Sequence, residues 1–225
     1  MPRLYSYCLP YDDGAAPNPF HGVCTLVICK PRIRATAKEG DWIVGTGAMH
    51  ARRADGSSQD MSGKLIYAMR VSRRMSMSDY DRHTRKHLPG KIPASTRDRG
   101  DSIYDFSGAE VVQRPGPHAA GNIKTDLGGK NALLSDHFYY FGDAALDLPA
   151  HLLAIAQNRQ GHRVKLNEPH VGTFIEWMEG LGHAPCSILG APLMAAGDDQ
   201  CRRWCASCRA DDDDQDMEIL TQAPC

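Results

Sequence analysis

Side chains able to bind or react are concentrated in two stretches of the sequence. In the first, Asn18 and His21 sit on a proline-braced loop. Cys24 and Lys30 then lie within and at the end of an apolar run, and Asp41 and Thr46 flank the next one. In the second, Ser135, Asp136 and His137 form a polar strand exit beside Tyr139 and Tyr140. If these strand ends converge, they build an aromatic-walled cleft with one amide, one carboxylate and two imidazoles. Such a cleft suits a base edge, with rings left for stacking. Lys30, or the basic loop around Arg97 and Arg99, would then neutralise a phosphate. The competing reading is that Tyr139 to Phe141 are core aromatics and Asn18 only braces its own loop.

The same residues suggest two kinds of catalysis. Cys24 with His21 or His137, and with Asp136, has the types needed for thiol chemistry, in which an imidazole activates the sulfur and a carboxylate orients the ring. Against this, a cysteine inside an apolar run is more often a small core residue. His137 and Asp136 form an alternative acid–base pair at a strand exit, although neighbours on a strand point to opposite faces. Neither a His-Glu-x-x-His run nor a Walker lysine loop is present. Gly45-Thr46-Gly47 leaves backbone open to a carbonyl or phosphate, or simply makes a tight turn.

A third cluster lies near the C-terminus. Cys201, Cys205 and Cys208, with Cys186 or His183 as a fourth ligand, have the types for a tetrahedral structural zinc. Cys205 and Cys208 alone also fit a redox pair, and all three also fit an unstructured tail with incidental thiols. No other cofactor is indicated. Asp211 to Asp214, with Asp216 and Glu218, is a solvated acidic run.

These residues must be positioned by a chain of 225 residues, 42% hydrophobic and 24% charged. That suffices for one sizeable core, and the expected division is a domain over 1–195 followed by a flexible acidic tail over 196–225. No apolar run is long enough to cross a membrane, and no secretory h-region opens the chain. The eight cysteines therefore read as reduced thiols of a cytoplasmic protein. The net charge of −1 hides an imbalance. Residues 1–130 carry 20 Lys/Arg against 13 Asp/Glu, and residues 131–225 carry 6 against 14. The front half suits an anionic partner, without the strongly basic surface of a tight nonspecific DNA binder.

Strands are expected at 4–9, 23–29, 42–44, 64–71, 102–106 and 132–134, with an aromatic return over 138–141. The strands at 42–44 and 64–71 should pair antiparallel across a polar loop. Ser76 and Asp79 have capping spacing for a helix running to His87 and stopped by Pro89. That helix displays Arg82, His83, Arg85, Lys86 and His87. Helices capped by Asp147 and Asn167 are expected at 148–158 and 168–181, with apolar stripes for packing.

In this order, several segments resemble the nucleotide modification associated domain 2 family over roughly residues 3–182. They are Tyr5-Ser6-Tyr7, the Ala16 to Gly22 loop, Cys24-Thr25-Leu26, Cys29-Lys30-Pro31 and Gly40 to Gly47. Gly63 to Met69, Gly100 to Tyr104 and Leu134 to Gly142 complete the set. The resemblance implies a setting among DNA-base modification systems of bacteria and phages, and does not imply a reaction. The Gly40 to Gly45 block and the strand after it also resemble PUA-like barrels that read modified bases. Together these readings give an α+β fold with a mixed or antiparallel, partly barrel-like sheet and packed helices. The function they favour is recognition of a nucleotide or modified DNA base. An enzyme acting on a nucleotide or base by transfer or hydrolysis is the alternative, and a scaffold that recruits a modifying-enzyme partner is the third.

Overall fold

The structure, a computed structural model, describes residues 1–157, 159 and 161–196. In chain order it runs β1 (Leu4–Leu9), β2 (Cys24–Leu26), α1 (Pro31–Thr36), β3 (Trp42–Gly47), the short pair β4 (Ala51–Arg52) and β5 (Ser58–Gln59), β6 (Lys64–Arg70), β7 (Arg73–Ser76) and α2 (Met77–His87). It continues through β8 (Tyr104–Asp105), β9 (Val112–Gln113), α3 (Ile123–Gly128), β10 (Asn131–Ser135), β11 (His137–Tyr140), β12 (Leu146–Asp147), β13 (His162–Arg163), α4 (Val171–Gly180) and β14 (Ser187–Ile188).

The main sheet has the order β13-β1-β3-β6-β11-β14, with β12 also pairing with β6. Only the β1–β3 and β11–β14 pairings are parallel, so the sheet is mixed and the fold is α+β. The expected antiparallel pair is present, with Ile43 opposite Met69 and Val44 opposite Ala68. A second sheet, β2-β10-β7, stands apart. The described strands do not close into a barrel, so the likeness to PUA-like barrels gains no support.

Alternation along the main strands sorts their side chains onto two faces. One face packs Tyr5, Tyr7, Ile43, Tyr67, Met69, Phe138 and Tyr140 against the second sheet and α1. The other packs Leu4, Trp42, Val44, Ala68 and Tyr139 against Leu152, Ile155, Phe174 and Met178. A third cluster joins Val27, Ile28, Tyr80, Tyr104 and Leu134 around the second sheet.

The helical expectations are met in part. At the start of α2 the Asp79 amide donates to Ser76 Oγ at 3.1 Å, and the helix ends at His87. Where helices at 148–158 and 168–181 were expected, the chain forms 3₁₀ turns at Ala150–Ile155 and Lys165–His170, and then the shorter α4. Asn167 caps nothing. It is fully buried, and its Nδ2 donates to Leu4 O and Ser6 Oγ, tying the 3₁₀ turn to β1. No helix among the described residues is long and apolar enough to cross a membrane.

Candidate active site

The polar chemistry of the fold gathers where β2 runs into α1. After β2 the chain continues through the buried Val27 and Ile28. It then turns sharply through Cys29 (φ 58°) and Lys30 (φ 42°) before Pro31 starts the helix. Two consecutive non-glycine residues in the left-handed region store strain, which the surroundings have to hold. Pro31 at the first helical position fixes where α1 begins. A strand–turn–helix junction of this kind pushes one side chain out of the backbone, and here that side chain is the Cys29 thiol.

The junction is held from both sides. The Arg34 guanidinium, fully buried on α1, donates from Nε to Cys29 O at 2.7 Å. It also donates from Nη1 to Asn131 O at 2.9 Å and from Nη2 to Asp126 O at 2.5 Å. Asp126 lies on α3 with no exposed surface. Its Oδ1 accepts the Cys29 amide at 2.9 Å, and its Oδ2 accepts the Tyr104 hydroxyl at 2.8 Å. The same Oδ2 lies 2.6 Å from His118 Nδ1, and His118 Nε2 lies 3.1 Å from Cys29 Sγ. Sulfur, imidazole and carboxylate therefore form a continuous relay. With Nδ1 protonated toward the carboxylate, Nε2 is the nitrogen presented to the sulfur.

Electrostatics favour the charged forms of His118 and Asp126. Burial works against a charged imidazole, but Cys29 and Asp126 on its two nitrogens outweigh it and hold His118 well above the ordinary histidine range. Burial would also raise Asp126, yet His118, Arg34 and the Cys29 amide carry it below the usual carboxylate value. Arg34 itself is lowered by burial and supported chiefly by Asp126.

The relay opens on a small, open-mouthed cavity of about 20 Å³. Its walls include Leu9, Pro10, Tyr11, Ile28 and Pro117, with Asp13, Lys30 and Cys8 among the polar groups beside Cys29 and His118. Lys30 is itself buried, with its ammonium 4.9 Å from the centre of the Tyr7 ring.

Of the residues singled out in the sequence, Lys30 alone lines this cavity. Asn18 is buried under its loop, where Nδ2 donates to Arg99 O at 2.7 Å and Oδ1 accepts from Lys91 Nζ at 2.8 Å. His21 is exposed, and its ring abuts Gly90. Cys24 is wholly buried, 3.8 Å from Met69 Sδ, and burial pushes its thiol up to about 12. Asp41 braces its turn by pairing with Arg3 at 2.9 Å and accepting the Lys38 amide. Thr46 Oγ1 is buried between Tyr7 O and Gln157. The flanking glycines are filled by the protein itself: a Cβ on Gly45 would lie 2.6 Å from the Tyr67 ring, and one on Gly47 2.3 Å from Met61 O.

The strand-exit group is likewise dispersed. Ser135 Oγ donates to Arg70 O at 2.6 Å, Asp136 pairs with the Ser72 hydroxyl, and the His137 ring packs edge-on against Trp42. Tyr139 is buried in the helix-covered core, and Tyr140 donates to Asp12 on the other face. Cys24, His137 and Asp136 are not brought together. Cys201, Cys205 and Cys208 lie outside the described residues. Cys186 and His183 are exposed, Cys186 next to Asp136 O and His183 edge-on to the Phe141 ring. Among the described residues no group of three or more His, Cys, Asp or Glu is placed to hold a metal.

Sequence reasoning passed over Cys29, His118 and Asp126 as a set. Cys29-Lys30-Pro31 carried the usable signal: a polar residue that ends an apolar strand just before a helix-starting proline. His118 and Asp126 lay in a glycine-rich stretch that read as loop, with nothing to link them to residue 29.

No curated protein and no solved structure matches the chain. A family model does match, over residues 1–198, and the chain belongs to the nucleotide modification associated domain 2 family.

Proposed function

We propose that this protein is a thiol-dependent enzyme that cleaves or transfers an acyl group, amide- or ester-linked, on a nucleotide or nucleobase. The observation that carries this reading is the 3.1 Å and 2.6 Å relay from Cys29 through His118 to Asp126, opening on a cavity. A protein that only recognised a base would need no such relay. An acyl-transfer enzyme needs each part of it.

In this mechanism the Cys29 sulfur attacks the carbonyl carbon, and the C=O electron pair moves onto oxygen. The tetrahedral adduct collapses, the bond to the leaving nitrogen or oxygen breaks, and the His118 Nε2 proton goes to that leaving group. Water or an acceptor amine then attacks the thioester and gives its proton to His118, and the C–S bond breaks to release the Cys29 thiolate. Asp126 holds the imidazole by Nδ1 throughout. It also takes up the Cys29 amide, so that N–H does not face the substrate. Lys30, on the cavity wall, is the donor we assign to the developing oxyanion. The Tyr11 ring and the apolar walls offer a face for a base, and the family's setting supplies the nucleotide class.

Reaction with p-nitrophenyl acetate tests the chemistry. The expected result is a burst of one nitrophenolate per chain and a hydroxylamine-labile acetyl group mapped to Cys29. Cys29→Ser should abolish both. Acetylation elsewhere, or an equal burst from the variant, sinks the proposal. A panel of acylated nucleosides then addresses the substrate class.

A further inference from the structure

The basic end of α2 takes no part in the thiol site and shares no residue with its cavity. Its neighbour β7 is the edge strand of the second sheet and presents Arg73 and Arg74 to solvent. Edge cations commonly guard against strand pairing, so their presence alone says little. Their arrangement says more. Arg73 Nη2 lies 3.2 Å from His83 Nε2, and the His83 ring centre lies 5.0 Å from that of His87, one turn further along. Lys86 is exposed on the same helix. Arg73, the two imidazoles and Lys86 are thus gathered on neighbouring elements.

The acids in the vicinity are engaged elsewhere. Asp79 pairs with Arg82, and Asp81 and Asp105 pair with Arg85 and Arg114. Glu39 accepts the Arg74 amide, and Asp136 pairs with Ser72. Among the described residues, neither Arg73 nor Lys86 has a carboxylate partner. Burial, Arg73 and His87 all push His83 below the ordinary histidine value. Uncompensated like charge of this kind is relieved by an anion that contacts several groups at once.

We propose that β7 and the outward face of α2 form a docking ridge for the sugar–phosphate backbone of a nucleic acid, with Arg73, His83, Lys86 and His87 meeting successive phosphates. The ridge reads charge and spacing, with no group aimed at a base edge, so it binds without sequence preference. Affinity is modest and strongly dependent on salt. Phosphates favour the charged form of His83, which burial, Arg73 and His87 disfavour in the free protein, so binding takes up protons and strengthens as pH falls. The ridge goes beyond the acyl-transfer reading and makes a polymer, as opposed to a free nucleotide, the molecule that this protein meets.

The test is fluorescence anisotropy of the full chain with labelled single- and double-stranded DNA and RNA oligonucleotides, titrated with salt at pH 6 and pH 8. The expected plot of log affinity against log salt has a slope of about −2 to −3, as for three phosphates neutralised. The double variant R73A/K86A should weaken binding about tenfold at low salt and flatten the slope by about 1 to 2. H83Q should remove the gain at pH 6. All four side chains reach the surface, so unchanged melting temperatures will show that these variants fold. An affinity insensitive to salt, equal binding by R73A/K86A, or binding to phosphatidylserine vesicles without binding to oligonucleotides would each overturn the ridge. None of these results bears on Cys29, whose burst assay is read separately.

Discussion

Two regions of this molecule contain a cysteine, a histidine and an aspartate, and only one assembles them. At the β10–β11 junction, Asp136 and His137 are chain neighbours, and each is satisfied locally. Asp136 pairs with Ser72, and His137 Nε2 lies 3.2 Å from Tyr139 Oη. Cys24 is shut inside the core. At the β2–α1 junction, the three residues come from positions 29, 118 and 126 and meet across a buried interface. Proximity in sequence produced a brace, and distance in sequence produced a relay. The reason is geometric. Adjacent strand residues point apart, whereas a sharp turn, a loop and a helix can aim three side chains at one spot.

The largest expected difference between the regions is in thiol reactivity. Iodoacetamide at pH 6.5 should alkylate Cys29 and spare Cys24, and the mapped label should disappear in Cys29→Ser while persisting in Cys24→Ser. Equal labelling of both thiols would mean that the relay does nothing for the sulfur.

The histidines should separate next. His118 is held above its ordinary value by Cys29 and Asp126, whereas burial and Arg70 lower His137. Alkylation of Cys29 in wild type should therefore persist well below pH 8.5, the value for an ordinary thiol. In His118→Gln the rate at pH 6.5 should fall roughly tenfold to a hundredfold, toward simple thiol behaviour. His137→Gln should leave the profile in place. Stability follows the same sign. A raised imidazole stabilises the fold fully below its unfolded value, and that contribution fades as pH rises through the folded one. The melting temperature lost in His118→Gln should be largest near pH 6 and shrink toward pH 9.

These contrasts also show what the sequence made legible. The β3–β6 pairing and the α2 cap were readable because turn residues, alternation and capping spacing are local signals. The site was not, because its hydrogen bonds join residues whose only link is the tertiary fold. The continuous apolar run predicts a strand through Cys29 and makes Cys24 the conspicuous thiol, five residues before the one that the turn presents. Asp126 lies on a helix of six residues, too short to show a periodic pattern within a glycine-rich stretch. Thr46 misled for a different reason. The glycines beside it suggested backbone left open to a ligand, and the space is filled by Tyr67 and Met61.

The carboxylates give an intermediate effect. Asp126 is fully buried and accepts from a histidine, a tyrosine and a main-chain amide, so Asp126→Asn strips the charge that His118 and Arg34 face. Breaking a buried charge network in this way costs about 3 kcal/mol or more. Asp136→Asn, at an exposed site, should cost about 0.5 kcal/mol or less. Urea denaturation of the two variants measures the gap, and similar midpoints would mean that Asp126 is not the anchor its contacts imply.

The smallest effect sharpens the comparison most, because it separates stability from chemistry. Tyr104 and Tyr80 are both buried, and each donates its hydroxyl to a buried aspartate, Tyr104 to Asp126 at 2.8 Å and Tyr80 to Asp101 at 2.6 Å. Asp101 belongs to a cluster with Thr25 and the nearby Lys91, away from any reacting sulfur. Removing either hydroxyl leaves a carboxylate short of one donor and should cost about 1.5 to 3 kcal/mol, as for a hydrogen bond to a charged group. Tyr104→Phe and Tyr80→Phe should therefore destabilise the fold alike. Their consequences at Cys29 should differ. Without the Tyr104 hydroxyl, Asp126 Oδ2 has only His118 to serve, and its proton affinity rises. The imidazole it orients then shifts, changing the Cys29 alkylation rate a few-fold, while Tyr80→Phe leaves that rate unchanged. If both variants altered the rate equally, reactivity would follow global stability, and the Cys29 relay would be an ordinary buried polar cluster like the one around Asp101.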